Sequence, residues 1–519
     1  MVHQLDTSDR SPGAAFAPVR ADSIKLAGLS DVCRALTLAI PVLIALQAIF
    51  AFSLVAVRSH TDISAINNNI RVAFDQGVLA TDQVPKLWIL RGGHRFTECV
   101  ALNVALDPQP NPWQSALAPE LHFHMVDACV ELYKTVSGEN AELMDYSRYW
   151  HGYRLLLWPV LQHADVLTLR AVTALLVAIG CALFFFGLRA TIGLTPALIL
   201  LATLFLLTDL WHIWRVATHG LSMFVILGGT GVFALLIRRW ANQYLWIVTA
   251  AALGAIFNFI DFLINPPMMP MLMSFIVLAF MSHTGASYMS ARERPGGLRP
   301  PALAAAVAAS WFFGYALTWA TKWALAIWLS NNAPQEATGI IHQVIFRLYG
   351  LEPGSTMFRI PLVPTITMIA TAFESFGTIV AVAMIAAIVV HVRNHRLRFD
   401  RARFYQLISP LFITFIWFEL LSNHTQLHPN FVYRSASTAV AIVLAAAIIA
   451  TDAPATLVTL WINLRRHVRS SILLLLPAKA RHLGAWTGNC PVPADAGTQP
   501  LPQSKPVGLG RAGFLPPRE

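Results

Sequence analysis

The chain has 519 residues, 56% of them hydrophobic and 12% charged, where a soluble globular protein carries roughly 25% charged residues. With a mean hydropathy of +0.57, 30 Phe and 15 Trp, the apolar surplus exceeds what soluble cores bury, which excludes a water-soluble fold and leaves a multi-pass membrane protein. The net charge of +10, from 37 Lys and Arg against 27 Asp and Glu, is then orientation charge rather than a nucleic-acid footprint, and no nucleic-acid partner is expected.

A spanning helix needs about 20 mostly apolar residues. About ten such segments are expected on that criterion: Ala35 to Val57, Val166 to Leu188, Pro196 to Leu210, Leu221 to Ile237, Tyr244 to Ile260, Met268 to Met281, Ala302 to Leu329, Pro364 to Val392, Phe404 to Leu421 and Arg434 to Ala450. The first is too long for a signal core and lacks a small-residue cleavage site behind it, so it reads as an anchor. The fold expected is all-α, a polytopic membrane protein with a large extracytoplasmic first loop containing amphipathic helices. Short connections on one side carry Arg189, Arg238, Arg239, Arg292, Arg294, Arg299, Arg393 to Arg403 and Arg465 to Arg469, which makes that side cytoplasmic and puts both termini there. In a bacterium this would be the inner membrane. The organisation is a cytoplasmic N-terminal tail (1–34), a first transmembrane helix (35–57), an extracytoplasmic loop (58–165), a multi-pass region (166–452) and a cytoplasmic tail (453–519). From Gly488 that tail is rich in Pro and Gly, a composition that predicts disorder.

Within the outer loop, Ile63, Ile66, Ile70, Phe74 and Val78 recur at helical spacing, as do Met125, Val126, Cys129, Val130, Tyr133 and Val136, which fits two amphipathic helices on the membrane surface. Asp107 to Pro112 and the pair Gly92 and Gly93 read as breaks. Cys99 can pair with Cys129 in an oxidising compartment. His122 and His124, two apart, would not share a helical face and are discounted as a zinc pair.

Ionisable groups inside spanning helices are costly and mark function by default. Lys322 lies about seven residues into its helix from the outer end, roughly 10 Å deep, and Glu374 about ten residues into the next, roughly 15 Å deep. Their pairing is the hypothesis for the buried ammonium. Asp209, Asp261 and Glu419 stand at outer helix ends, so the polar groups gather toward one leaflet and suggest a cavity open to the outside. Asp62, five residues after Val57, is either a general base toward an acceptor or the N-cap of the helix beginning at Ile63. In DYSRYWHGY (145–153), Arg148 and His151 fall three apart and would grip a phosphate from one helical face, beside an interfacial aromatic belt. In NHTQLHPNFVYR, His424, His428 and Arg434 are candidates for phosphate or sugar hydrogen bonding. A divalent cation is conceivable there, although a third close ligand is not evident.

This layout, with a first helix leading into a large outward loop and Asp62 soon after that helix, resembles the GT-C superfamily of integral-membrane glycosyltransferases. The strings DYSRYWHGY, TWATKW, FIDFLINPP and NHTQLHPNFVYR are also similar to ones in bacterial polytopic membrane proteins. The resemblance covers Ala35 to about Val392 and implies transfer of a sugar from a polyprenyl-phosphate donor to an envelope glycan or lipid acceptor. It implies Asp62 as base and Arg148, His151, Lys322 and Arg434 as phosphate ligands, and it fixes no cofactor beyond the conceivable divalent cation. Many members have two adjacent acidic residues where this chain has Asp62 followed by Ile63. The alternative is a transporter or flippase of a lipid-linked or anionic envelope precursor, with Lys322 and Glu374 as a gating pair.

Overall fold

A computed structural model describes residues 29–81, 95–124, 126–240, 242–283, 299–330, 332–349, 360–374, 382, 386 and 398–451. The expected N-terminal tail before residue 29, the tail after 451, Gly92 and Gly93, and the outer parts of the Arg292 and Arg393 connections lie outside the described residues.

The described chain is all-helical apart from one small ribbon. Helix α1 (Leu29–Ser59) is followed by the shorter helices α2 (Ile63–Asp75), α3 (Arg95–Ala105) and α4 (Pro112–Leu117). Strand β1 (Glu120–Phe123) then pairs antiparallel with β2 (Glu142–Asp145) across α5 (Ala128–Val136). Helix α6 (Arg154–His163) leads into α7 (Val166–Ile192), α8 (Leu194–Leu207), α9 (Ala217–Arg239), α10 (Gln243–Ile260) and α11 (Met268–His283). After these come α12 (Pro300–Leu329), α13 (Ala333–Tyr349), α14 (Val363–Phe373), α15 (Arg401–Ile408), α16 (Leu411–Leu420), α17 (Ser422–Leu427) and α18 (Pro429–Ile449).

Six described helices are long and apolar enough to cross a membrane: α1, α7, α9, α10, α12 and α18. Large apolar side chains such as Leu38, Ile44 and Phe52 on α1 and Leu175 and Phe186 on α7 stay exposed, while α11 is buried on every side from Met268 to Ala279. An all-round apolar helix belongs in the centre of a bundle. Three expected spans are built from helices shorter than the about 20 residues of a full crossing. Helix α8 has 14 residues and reaches about 21 Å at about 1.5 Å per residue; α11 has 16. The segment Phe404 to Leu421 is two helices, α15 and α16, broken at Ser409–Pro410, because proline has no N–H to continue the ladder. The eighth segment is helical over Val363–Phe373, and most of its remainder lies outside the described residues.

The bundle closes through small residues. A Cβ on Gly254 would meet Trp311 O at 2.0 Å, and one on Gly314 would meet Ala251 O at 1.9 Å, so α10 and α12 approach at backbone contact, as small residues allow between membrane helices.

The described residues of 58–165 form an ordered unit, more structured than two surface helices. The expected amphipathic pair is present as α2 and α5, and Phe74 meets Tyr133 edge to face at 5.3 Å. Ile66 and Ile70 are buried, and Asn69 donates to Leu161 O of α6 at 2.8 Å. The disulfide expected between Cys99 and Cys129 is formed and ties α3 to α5. Glu98 and Arg170 make a buried salt bridge of 2.8 Å that fixes α3 against α7. From the last turn of α1, Arg58 donates to Ser115 Oγ at 2.8 Å and to Gln109 O at 3.0 Å.

Candidate functional site

The segment 145–153 is a turn, not the helix its Arg148 and His151 spacing predicted. His151 has φ 57°, a left-handed conformation uncommon outside glycine. It is held there by both ring nitrogens: Nε2 donates to Tyr146 O at 2.8 Å and Nδ1 accepts from Tyr153 OH at 3.0 Å. Burial pushes its imidazolium well below the ordinary histidine range, so the ring is neutral and structural and does not grip a phosphate beside Arg148. Trp150 Nε1 donates to Thr318 O at 2.8 Å and Trp323 Nε1 to Arg148 O at 3.2 Å, which fastens the turn to α12.

The turn presents Arg148 and Tyr149 to a cleft walled by α12, α13 and α16. On α12, Phe312, Ala316, Trp319 and Trp323 recur at i, i+4, i+7 and i+11 and so share one face. With Trp417, Leu420 and Leu421 they line an almost wholly apolar cavity of about 290 Å³. Trp319 and Trp323 stack at 5.2 Å and Phe312 stacks on Trp417 at 5.9 Å. A second, more polar cavity of about 170 Å³, lined by Thr97, Tyr146, His424 and His428 among others, shares Arg148, Tyr149, Gln343 and Arg347 with the first. Those four residues are the junction.

Two arginines stand at that junction. Arg148 lies over the Tyr146 ring at 4.3 Å, and its buried Nε has no hydrogen-bond partner. Arg347 donates to Tyr149 OH and, at 2.7 Å, to His424 Nδ1. His424 Nε2 in turn donates to Leu263 O at 3.0 Å, and burial together with Arg347 holds this histidine neutral. Among the described residues no carboxylate lies within salt-bridge distance of either guanidinium. Two cations held by neutral partners where an apolar trough meets a polar chamber suit an anionic headgroup on an apolar chain.

The other expected site residues fall elsewhere. Lys322 is fully buried, but its ammonium donates to Leu117 O, and the carboxylates acting on it are Asp145 and Glu336. Glu374 is exposed at the end of α14, so the Lys322–Glu374 pairing is replaced. The physical reason lies in α4, whose last carbonyls have no intrahelical partner. Arg154 takes Ser115 O at 2.9 Å and Ala116 O at 2.6 Å, and Lys322 takes Leu117 O. Replacing Lys322 by Met should therefore lower stability by about 1–3 kcal/mol, the cost of one orphaned buried carbonyl. Lipid binding per folded molecule should be retained. Thermal unfolding in detergent beside a lipid-binding assay checks both.

Asp62 is the N-cap of α2: Oδ1 accepts from Ser64 N at 2.9 Å, Ser64 Oγ at 2.6 Å and Ala65 N at 3.4 Å. The Ser64 hydroxyl and these amides hold its carboxyl below the usual range, which weakens it as a base, and it lines neither of the two cavities described above. Arg434 is buried against α8 and α9, with Nε donating to Thr208 O at 3.0 Å and an Nη 3.4 Å from His219 Nδ1. His428 stacks on Phe431 at 5.1 Å and stands 4.9 Å from His424, ring to ring. The three acids expected at outer helix ends make hydrogen bonds within the scaffold. Asp209 accepts from Tyr433 OH, Asp261 from Ser222 Oγ at 2.6 Å and Ile264 N at 2.9 Å, and Glu419 from Leu362 N at 3.1 Å and Thr365 Oγ1 at 2.5 Å. Among the described residues no group of three or more His, Cys, Asp and Glu is placed to hold a metal ion.

Arg347 at the junction of the two cavities and Arg154 beneath α4 are the residues that sequence reasoning passed over. The signal for Arg347 is the stripe Glu336, Ile340, Gln343, Arg347 on α13, at i, i+4, i+7 and i+11, with Ile341 and Ile345 exposed on another side. No family model, curated protein or solved structure matches the chain.

Proposed function

We propose that the chain is a multi-pass membrane glycosyltransferase that takes a sugar from a polyprenyl-phosphate donor and transfers it to an envelope acceptor at the extracytoplasmic face. The observation that carries this reading is the tryptophan-lined trough joined to the Arg148 and Arg347 junction. The trough receives the phosphate-proximal part of the polyprenyl chain, the two guanidiniums receive the phosphate, and the polar chamber beyond them has room for the sugar. In the reaction an acceptor oxygen attacks the anomeric carbon while the bond to the phosphate oxygen breaks. Arg148 and Arg347 stabilise the charge that grows on the leaving phosphate, with the same preorganised donors that bind it. His424, neutral and anchored to Leu263 O, orients Arg347 rather than adding charge.

Arg189, Arg238 and Arg239 at the ends of α7 and α9 support a cytoplasmic assignment for that side. The Cys99–Cys129 bridge supports an oxidising outer compartment for 58–165. On this orientation the shorter apolar helices α8, α11, α14 and the α15–α16 pair complete about ten membrane segments, with both termini cytoplasmic in the bacterial inner membrane.

The test is a transfer assay in nanodiscs with a short-chain polyprenyl-phosphate carrying a radiolabelled sugar and an envelope extract as acceptor. Label should leave the lipid and appear in acceptor, and the signal should vanish in the Arg148→Met, Arg347→Met double variant. Movement of intact donor across liposome membranes without sugar transfer would replace this reading with a flippase.

A further inference from the structure

Helix α13 borders three cavities. Ile340, Val344 and Leu348 wall the apolar trough, Gln343 and Arg347 stand at the junction, and Gln335, Glu336 and Gly339 line a third cavity of about 400 Å³. Yet the helix is lightly packed: among its described side chains only Ile340 is buried, and Ile341 and Ile345 are exposed. Polar contacts hold it toward its two ends. Near the C-terminus Arg347 meets Tyr149 OH and His424, and Asn423 of α17 donates to Phe346 O at 2.7 Å. Near the N-terminus Glu336 meets Ser147 Oγ, which also lies 3.1 Å from Asp145 Oδ2. Both ends therefore reach the same turn, one through Ser147 and the other through Tyr149.

The contact at Ser147 can be counted in protons. A hydroxyl carries one hydrogen, and Ser147 Oγ faces two carboxyl oxygens, so two ionised carboxylates would leave one of those oxygen pairs with no hydrogen between them. Asp145 accepts from Ser147 N at 3.2 Å as well as from Ser147 Oγ, and the missing hydrogen is then carried by Glu336, whose carboxyl donates to Ser147 Oγ. We propose that α13 is a lid over the trough and the polar chamber, latched by that one proton and released when Glu336 ionises. Ionisation sets an anion against an acceptor oxygen and the Asp145 carboxylate, and only the light packing around Ile340 opposes release. Burial and then the Asp145 charge raise the proton affinity of Glu336, against the Ser147 hydrogen bond and the charge of Lys322 on α12. Glu120 of β1 lines the same cavity, Arg148 acts on Asp145, and His342, Arg347 and Tyr349 are the other charged or titratable residues in the α13 sequence. Because docking raises this carboxyl, the latch is complete below the ordinary glutamate range and is lost as pH rises through the docked value. The latch stands on α13 and the turn alone. Its consequence for a lipid phosphate, that a closed lid delivers Arg347 and one wall of the trough, rests on the glycosyl-transfer reading.

Hydrogen-exchange mass spectrometry on the full chain in nanodiscs, with no polyprenyl lipid added, tests the latch between about pH 4.5 and about pH 8.5, read as protection factors so that the intrinsic pH dependence of exchange drops out. Protection across 333–343 should fall at least tenfold as pH rises, while α12 peptides keep theirs. In Glu336→Gln the amide supplies the hydrogen at every pH, and in Asp145→Asn one carboxylate is gone and Ser147 is free to donate to Glu336. Both variants should hold the low-pH protection throughout. Level wild-type protection over the whole range, a fall that persists in Glu336→Gln, or exchange of α13 in both variants as fast as in the wild type at high pH would each overturn the proposal. Binding of a short-chain polyprenyl phosphate is compared between wild type and Glu336→Gln at each pH, so that titration of the lipid itself cancels. The wild type should lose affinity relative to the variant as pH rises, and equal affinities at every pH would overturn the lid's part in lipid binding. A pH-dependent lid in a protein that binds no such lipid at any pH would overturn the glycosyl-transfer reading and leave the latch standing.

Discussion

Replacing Arg347 by Met should weaken binding of a short-chain polyprenyl phosphate by about 10- to 150-fold, since charge-assisted hydrogen bonds at a shielded site are each worth about 1.5–3 kcal/mol and 1.4 kcal/mol is tenfold. The guanidinium reaches Tyr149 OH from one side and His424 from the other, so a Lys in its place, with a point charge and no planar fork, should recover only part of the loss. The His424→Asn variant separates charge from positioning. It keeps an acceptor near Arg347 and should cost less than Arg347→Met. Equilibrium binding in nanodiscs of matched composition reads all three. Equal affinity of wild type and Arg347→Met would remove the junction from the account.

The second large effect is structural. Opening the Cys99–Cys129 bridge, which spans a sequence separation of 30, should cost about 3–4 kcal/mol by loop-closure entropy. The consequence reaches the site because α3 carries Thr97, which lines the polar chamber, and Glu98, which is salt-bridged to Arg170 on α7. The Cys99→Ser, Cys129→Ser double variant should therefore melt at lower temperature. Its lipid-phosphate affinity should fall less than that of Arg347→Met, since neither arginine is touched. Thiol alkylation before and after reduction, beside thermal unfolding, measures the bridge and its effect together. A melting temperature unchanged by the double substitution would mean that α3 and α5 are held by packing alone.

The long apolar runs were readable because a spanning helix announces itself by length and composition alone, and α1, α7, α9, α10, α12 and α18 all fall where those runs lie. The Ser409–Pro410 break was equally present in the sequence, as a proline inside an apparent span. Asp62 showed both of its roles in advance, and the structure displays the cap. Lys322 stood out as a buried cation, yet its partner, Leu117 O, is a main-chain carbonyl 205 residues away, and no side-chain pattern signals a carbonyl. Charge complementarity pointed to Glu374 because a carboxylate is the only partner a sequence shows. Arg347 drew no notice for a related reason. Its value comes from α13 lying across the 145–149 turn, a tertiary fact, although the mixed stripe from Glu336 to Arg347 was there to be seen. His151 failed as a ligand because the segment before α6 turns instead of coiling, with Gly152 N–H bonded to Phe259 O at 2.8 Å.

The central claim is that an anionic polyprenyl lipid lies with its chain among Trp319, Trp323 and Trp417 and its phosphate at Arg148 and Arg347. Photolabelling in nanodiscs with a short-chain polyprenyl phosphate bearing a diazirine on its second isoprene unit, followed by peptide mapping, tests it most directly. The account predicts labels concentrated on the α12 and α16 peptides that contain those tryptophans, competed by unlabelled lipid and abolished by Arg148→Met with Arg347→Met. Labels confined to the lipid-facing sides of α1 and α7, unaffected by competitor, would contradict it.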